Sequence, residues 1–215
     1  MLLRLPGVYP PQADSFFLAQ ALQLESIDAD TRVLDLCTGT GVLSVQAASA
    51  GARDITAVDI GRRALTTAWI NGRLNRVPIR VARGDLTAPV RNSRFDLVLS
   101  NPPYVPAEDD ALPTRGLARC WDAGQDGRAL LDRICVEAPD VLAPGGVLLL
   151  LQSALSGVEK TQAMLEEQGL DVEIVARTDI PFGPVMSMRR ELLRRRGLID
   201  ELERREQLVV FRAVK

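Results

Sequence analysis

Asn101-Pro102-Pro103-Tyr104 directly follows the apolar run Phe95-Asp96-Leu97-Val98-Leu99-Ser100, and its residue types suit chemistry on a planar nitrogen. Two consecutive prolines fix two φ angles, remove two backbone donors and push their predecessors towards extended geometry. What remains is a rim of acceptors: the side-chain oxygen of Asn101 and the backbone carbonyls of Asn101 and Pro102. Such a rim can receive both N–H bonds of an NH2 group, and the Tyr104 ring offers a flat face to lie against it. Pro-Pro by itself would equally close a strand in a plain turn. The functional reading therefore requires a cofactor site upstream.

Upstream, polar residues recur at the ends of apolar runs. Arg32 to Cys37 runs into Thr38-Gly39-Thr40-Gly41, a turn where a backbone can approach a ligand without Cβ atoms in the way. A dinucleotide fingerprint would place Gly or Ala three residues after Gly41, where this chain has Ser44. The run Ile55 to Asp59 ends in an acid 20 positions after Gly39, a placement that suits a ribose diol. Asp59 could instead cap a helix. Gly84-Asp85-Leu86 ends the next run: Asp85 could accept from an adenine amino group while the Leu86 N–H donates to a ring nitrogen, or the three could form a surface turn.

The elements that must position these residues alternate. Strands are expected at Arg32–Cys37, Ile55–Asp59, Ile79–Ala82, Phe95–Leu99, Val147–Leu151, Leu170–Ala176 and Leu208–Phe211. Between them come a helix from Val42 to Gly51, one over Arg62–Leu74 burying Ala64, Leu65, Ala68 and Trp69, one from Asp126-Gly127-Arg128 kinked at Pro139, and one over Gly157–Gln168. Asp14 or Ser15 is expected to cap an N-terminal helix that covers the sheet. Val105 to Gln125 has no period and reads as a loop over the site, with Trp121 either a lid aromatic or a pin to the core. Arg189 to Glu206 holds seven arginines against five acids and reads as a solvated helical insertion, bounded at 183–206. The alternation implies an α/β, doubly wound sheet with ligands at its carboxyl edge.

Composition narrows the chemistry. The chain of 215 residues fits one domain, 1–215, in which 1–30 form an N-terminal cap segment. A net charge of −2 gives no strongly electrostatic grip on nucleic acid. Histidine is absent, which removes histidine metal sites, Ser-His and Cys-His pairs and imidazole acid-base catalysis; no metal is expected. Cys37, Cys120 and Cys135 form no Cys-x-x-Cys pair and suit a reduced cytoplasmic setting, and no apolar run is long enough to span a bilayer.

Taken together, Val8-Tyr9-Pro10 with Asp14-Ser15, the Asp35 to Gly41 turn, Asp59, Gly84-Asp85-Leu86, Asn101 to Tyr104, and Trp121 through Gly124 to Gly127-Arg128 resemble the class I S-adenosylmethionine methyltransferases. Within that class the chain is most similar to the HemK-type glutamine methyltransferases of the archaeal and eukaryotic kind. The resemblance implies a Rossmann-like seven-stranded sheet in the order 3-2-1-4-5-7-6 with strand seven antiparallel. It implies S-adenosyl-L-methionine as cofactor, leaving as S-adenosyl-L-homocysteine. Ser15, Asp35, Gly39 and Gly41 would then line its methionine end, Asp59 its ribose, and Asp85 with Leu86 its adenine. Asn101, Pro102, Pro103 and Tyr104 would hold the substrate nitrogen, with Asn101 also bordering the cofactor.

Two departures stand out: Cys37 replaces a common first glycine, and only about thirty residues precede the first strand. The helical domain with which bacterial members grip release factors would therefore be missing, and recognition would fall to loops, the Arg-rich segment or a partner. The resemblance implies a release-factor Gly-Gly-Gln loop as methyl acceptor and a small zinc-binding activator as partner. Exocyclic amines of adenine or cytosine in nucleic acid present the same planar NH2 and rank second. A small-molecule amine ranks third, and a non-catalytic cofactor-binding scaffold is the remaining class.

Overall fold

The computed structural model describes residues 2–215. Its strands are β1 (Arg32–Leu36), β2 (Asp54–Asp59), β3 (Ile79–Arg83), β4 (Phe95–Ser100), β5 (Leu142–Ser153), β6 (Asp171–Pro181) and β7 (Arg205–Val214). They form one sheet in the order β3-β2-β1-β4-β5-β7-β6, in which β7 runs antiparallel to both β5 and β6, as expected. The helices are α1 (Ala13–Leu22), α2 (Val42–Ala50), α3 (Arg62–Leu74), α4 (Leu131–Val141), α5 (Val158–Glu167) and α6 (Pro184–Arg195). Strand order reverses between β1 and β4, so right-handed crossovers put α2 and α3 on one face and α4 and α5 on the other. β1 and β4 are almost entirely buried, which is why they read as near-continuous apolar runs.

Several local expectations are corrected. Trp69 is 47% exposed rather than core, with the Arg73 guanidinium 5.3 Å from its ring centroid. The buried stripe of α3 runs instead through Ala64, Leu65, Ala68, Asn71 and Gly72, and Trp69 lies one step round the helix from it. α4 begins at Leu131, not at Asp126, because Gly127 takes φ +72° and the buried Arg128 side chain is committed to the carbonyls of Ser156 and Gly157. Pro144-Gly145-Gly146 does not precede β5 but lies within it: Phe95 pairs with Leu142 and Leu97 with Val147, so the extra residues form a bulge.

The Arg-rich segment is helical and exposes Glu191, Arg194 and Arg195, but it is solvated on one side only. α6 buries Met186 and Leu193, and Arg189 pairs with the buried Asp122 at 2.8 Å. Arg196 donates to the carbonyls of Ala107, Gln125 and Glu108 at 2.7–2.9 Å. Arg205 and Glu206 belong to β7. The segment therefore fastens the 105–125 loop, which is also closed on itself by Val105 N–H to Trp121 and Ala123 N–H to Val105. Trp121 packs edge-on against Tyr9 with centroids 5.9 Å apart.

The glycine turn after β1 is held from behind. Gly41 takes φ +77°, and a Cβ there would sit 2.9 Å from Ala68 of α3. The buried Asn71 side chain donates to the Thr40 carbonyl at 2.8 Å. Gly41→Ala is expected to cost roughly 1–3 kcal/mol through overpacking and left-handed strain. Urea unfolding checks this, and an unchanged midpoint would contradict the close α2–α3 approach.

Candidate active site

Two cavities meet at the carboxyl edge of the sheet. The first, about 450 Å³, lies over the ends of β1, β2 and β4 and is closed by Tyr9 from the N-terminal segment and by Leu117 and Arg119 from the loop. Ser15, Gly39, Asp59, Asp85, Leu86 and Asn101 line it. The second, about 290 Å³, is bounded by Asp14, Pro102, Tyr104, Trp121, Met186 and Glu206, among others. Tyr9, Asn101, Pro103 and Cys120 line both and form the partition between them.

Asp35 and Gly41 do not line either cavity. Asp35 is fully buried behind the turn, where its Oδ2 accepts from the Thr38 and Ser44 hydroxyls at 2.6 Å and from the Ser44 N–H at 3.1 Å. Its Oδ1 has no partner. Burial pushes its acid up to about 6, against the pull of those hydrogen bonds. Asp59 bridges the turn from the next strand: one oxygen accepts from Gly39 N–H at 3.1 Å, the other from Gly61 N–H at 2.7 Å. Burial raises its acid as well. Each oxygen keeps a lone pair for a ligand hydroxyl.

At the far end, Asp85 is half exposed and paired with Arg133 at 3.0 Å. Arg133 also holds Glu137 of α4 at 3.0 Å, so the Asp85 position is fixed by another helix. Leu86 takes φ +45°, unusual for a residue with a Cβ, while its side chain is buried. Its N–H takes part in none of the hydrogen bonds of the described residues. A free donor beside a carboxylate can pair with a planar edge that carries an acceptor next to a donor.

The partition carries the reactive geometry. The Asn101 amide donates from Nδ2 to Asp14 Oδ2 at 3.1 Å and to Ser15 Oγ at 3.4 Å. Ionised Asp14 only accepts, so the NH2 must face it and Oδ1 must face away. That Oδ1 is buried and has no partner. Asp14 and Ser15 do not cap α1, as the sequence suggested; Gln12 occupies that position, and both residues sit in the first turn with their side chains turned to Asn101. The Tyr104 hydroxyl faces Asp14, and burial holds its acidity far below that of a free phenol. Its carbonyl accepts from Ser156 Oγ at 2.9 Å.

Asp14 and Glu206 had no place among the site residues expected from sequence. Asp14 belonged to a motif but read as a helix cap, and Glu206 lay in a run of alternating charge. Arg119 reaches over the Asp59 end, close enough to favour its ionised form, from a loop without periodicity.

Residues 2–114 match the family model described as a methyltransferase small domain. A Methanocaldococcus jannaschii protein named for N5-glutamine methyl transfer to protein is 40% identical over 84% of this chain and 90% of its own length. A release factor glutamine methyltransferase of Bordetella pertussis is 34% identical over 81% of this chain and 67% of its own. The E. cuniculi Mtq2-Trm112 complex, described as methylating the termination factor eRF1, contains a chain that superposes with a TM-score of 0.65 at 24% identity, covering 97% of this chain and 99% of that one.

Because Asp35 is raised from its unfolded value to about 6, the folded state binds its proton more tightly than the unfolded state. The stabilisation is complete below about pH 4 and is lost as pH rises through 6. Ser44→Ala removes one donor and should raise that acid further, widening the window. Carboxyl carbon NMR titration of both forms reads it; an unmoved midpoint would contradict the Asp35–Ser44 bond.

Proposed function

This chain belongs to the methyltransferase small-domain family, together with protein N5-glutamine methyltransferases, and we propose that it methylates the side-chain amide nitrogen of a glutamine in the Gly-Gly-Gln loop of a peptide-release factor, using S-adenosyl-L-methionine. The observation that carries this reading is the buried, unpartnered Asn101 Oδ1 at the partition between the two cavities. An acceptor placed there receives an N–H donor in the second cavity, next to a cofactor in the first.

The first cavity fits S-adenosylmethionine in donor set and shape. Gly39 lines the cavity without a Cβ, Asp59 offers lone pairs to a ribose diol, and Asp85 with the free Leu86 N–H matches an adenine edge. Ser15 borders the methionine end, and Asp35 acts from behind by fixing the turn. When bound, the cofactor supplies an electrophilic methyl group on a sulfonium. The N–C bond forms as the sulfonium S–C bond breaks, S-adenosyl-L-homocysteine is the product, and the nitrogen's displaced proton leaves to water after transfer.

The chain's own residues do the rest by orientation. An amide nitrogen is a poor nucleophile because its lone pair is delocalised. Asn101 Oδ1 accepts one substrate N–H and the Pro102 carbonyl the other, which favours rehybridisation at nitrogen; the Tyr104 ring lies against the amide plane. Asp14 keeps Asn101 from turning its NH2 to the substrate. Trp121 and Tyr9 close the cavity against water.

The release-factor acceptor is supported by the name of the Bordetella pertussis relative and by the description of the E. cuniculi complex. The exocyclic-amine reading loses ground because no Lys or Arg lines the second cavity, whereas Asp14 and Glu206 do. The small zinc-binding activator implied by the family resemblance has a candidate surface in the unpaired edge of β3, where Val81 is exposed. No helix of the described residues is long and apolar enough to cross a membrane, and the three free cysteines suit a cytoplasmic enzyme.

Incubation with labelled S-adenosylmethionine and separate pools of release factor, tRNA, DNA and small metabolites should place label in the release factor; label confined to nucleic acid would refute the assignment. Asn101→Ala should lower methyl transfer by roughly 10²-fold or more when measured at saturating cofactor. Asp59→Ala should instead weaken cofactor binding by about tenfold to a hundredfold. Unaltered affinity in that variant would overturn the ribose assignment.

A further inference from the structure

Glu206 is a second, unused acid in the acceptor cavity. It opens β7 opposite Ile180 of β6 and is only 6% exposed. Its Oε2 is buried without a partner, and no salt bridge of the described residues includes it. Arg205 is engaged with the Asp179 carbonyl and Arg189 with Asp122, while Arg190 donates one nitrogen to the Glu201 carbonyl and keeps its Nε buried without a partner. The groups that face it are Asp14 from α1, Tyr9 from the N-terminal segment, Tyr104 from the loop after β4, and Ser153 at the end of β5.

Of the two acids lining this cavity, Asp14 is already committed to Asn101 and Ser15. Glu206 keeps a free oxygen between apolar walls that include Ile180, Val185 and Met186. A buried carboxylate oxygen without a donor costs free energy that a bound proton or a ligand N–H offsets. Resting on the glutamine reading above, we propose that Glu206 determines acceptor specificity, its free oxygen receiving a peptide N–H of the acceptor next to the reacting glutamine.

The assignment has a consequence for pH. Burial, reinforced by the Asp14 charge and offset in part by the Ser153 hydroxyl, pushes the Glu206 acid up to about 7. The ionised form accepts the stronger hydrogen bond, so acceptor binding tightens as pH rises through neutrality. The same raised value means that ionisation lowers stability above pH 7, and removing the charge relieves that cost.

The test titrates a synthetic peptide containing Gly-Gly-Gln with uncharged flanks into the full chain saturated with S-adenosylhomocysteine, at pH 6 and pH 8. Wild type should bind up to about tenfold more tightly at pH 8, the ratio of ionised fractions for an acid near 7. Glu206→Gln should bind equally at both values. At pH 8 it should raise the peptide KM roughly five- to tenfold, change kcat less than twofold, and leave cofactor affinity unaltered. Its unfolding midpoint at pH 8 should equal or exceed that of wild type, whereas an acid with a purely structural role would lose stability.

Unchanged peptide affinity in Glu206→Gln overturns the proposal, as does a fall in kcat with KM unmoved. A response confined to peptides with Lys or Arg beside the glutamine overturns the N–H assignment. Wild type that binds S-adenosylhomocysteine but neither binds nor methylates any glutamine peptide refutes the glutamine reading itself, and Glu206 falls with it.

Discussion

The contact between the Asp14 carboxylate and the Asn101 amide sets the terms for the rest of the molecule. An amide side chain has two nearly isosteric ends, and packing alone distinguishes them poorly. A carboxylate accepts and does not donate, so it decides the matter: NH2 towards α1, oxygen towards the cavities. That decision turns a proline-stiffened strand end into an acceptor aimed at a donor. It also explains why the first turn of α1 buries two polar residues where an amphipathic helix would bury apolar ones.

Keeping that contact in place requires several elements that share no sequence neighbourhood. α1 must dock against the sheet, which Leu18, Ala19, Ala21 and Leu22 achieve by burial. Asn101 must sit at the end of a strand that does not slip, and from Leu97 to Ser100 β4 is paired continuously on both sides, by β1 and β5. The glycine turn beside it is held from three directions: Asp35 below, Asp59 across and Asn71 behind. Each of these is a hydrogen bond to backbone or to a fixed hydroxyl, so the turn that lines the first cavity is shaped without a ligand.

The same logic extends to the acceptor side. α6 carries a charge pattern that resembles a solvated face, yet Arg189 and Arg196 reach the loop that roofs the cavity and replace the missing secondary structure there. The loop carbonyls they satisfy would otherwise depend on water. β7 then brings Glu206 beneath that roof, so both walls of the acceptor cavity carry acids while basic side chains are spent on structure.

Periodicity determined the strand and helix order, and strand-end residues marked the rim of the first cavity, because buried parallel strands and glycine turns leave local signatures. Asn-Pro-Pro-Tyr likewise read as a rim of acceptors, since proline acts on its own backbone and its neighbour's. The position of Trp69, the bulge at Pro144-Gly145-Gly146 and the late start of α4 escaped that reading, because each depends on what packs across from it. Which charged residues are solvated was equally illegible: composition cannot tell Glu191, exposed beside Arg194, from Glu206, buried in a cavity wall. Sequence thus fixes what each residue is able to do, while the direction in which Asn101, Asp14 and Glu206 do it comes from segments far apart in the chain. Hydrogen-bond polarity and desolvation arise only when those segments meet.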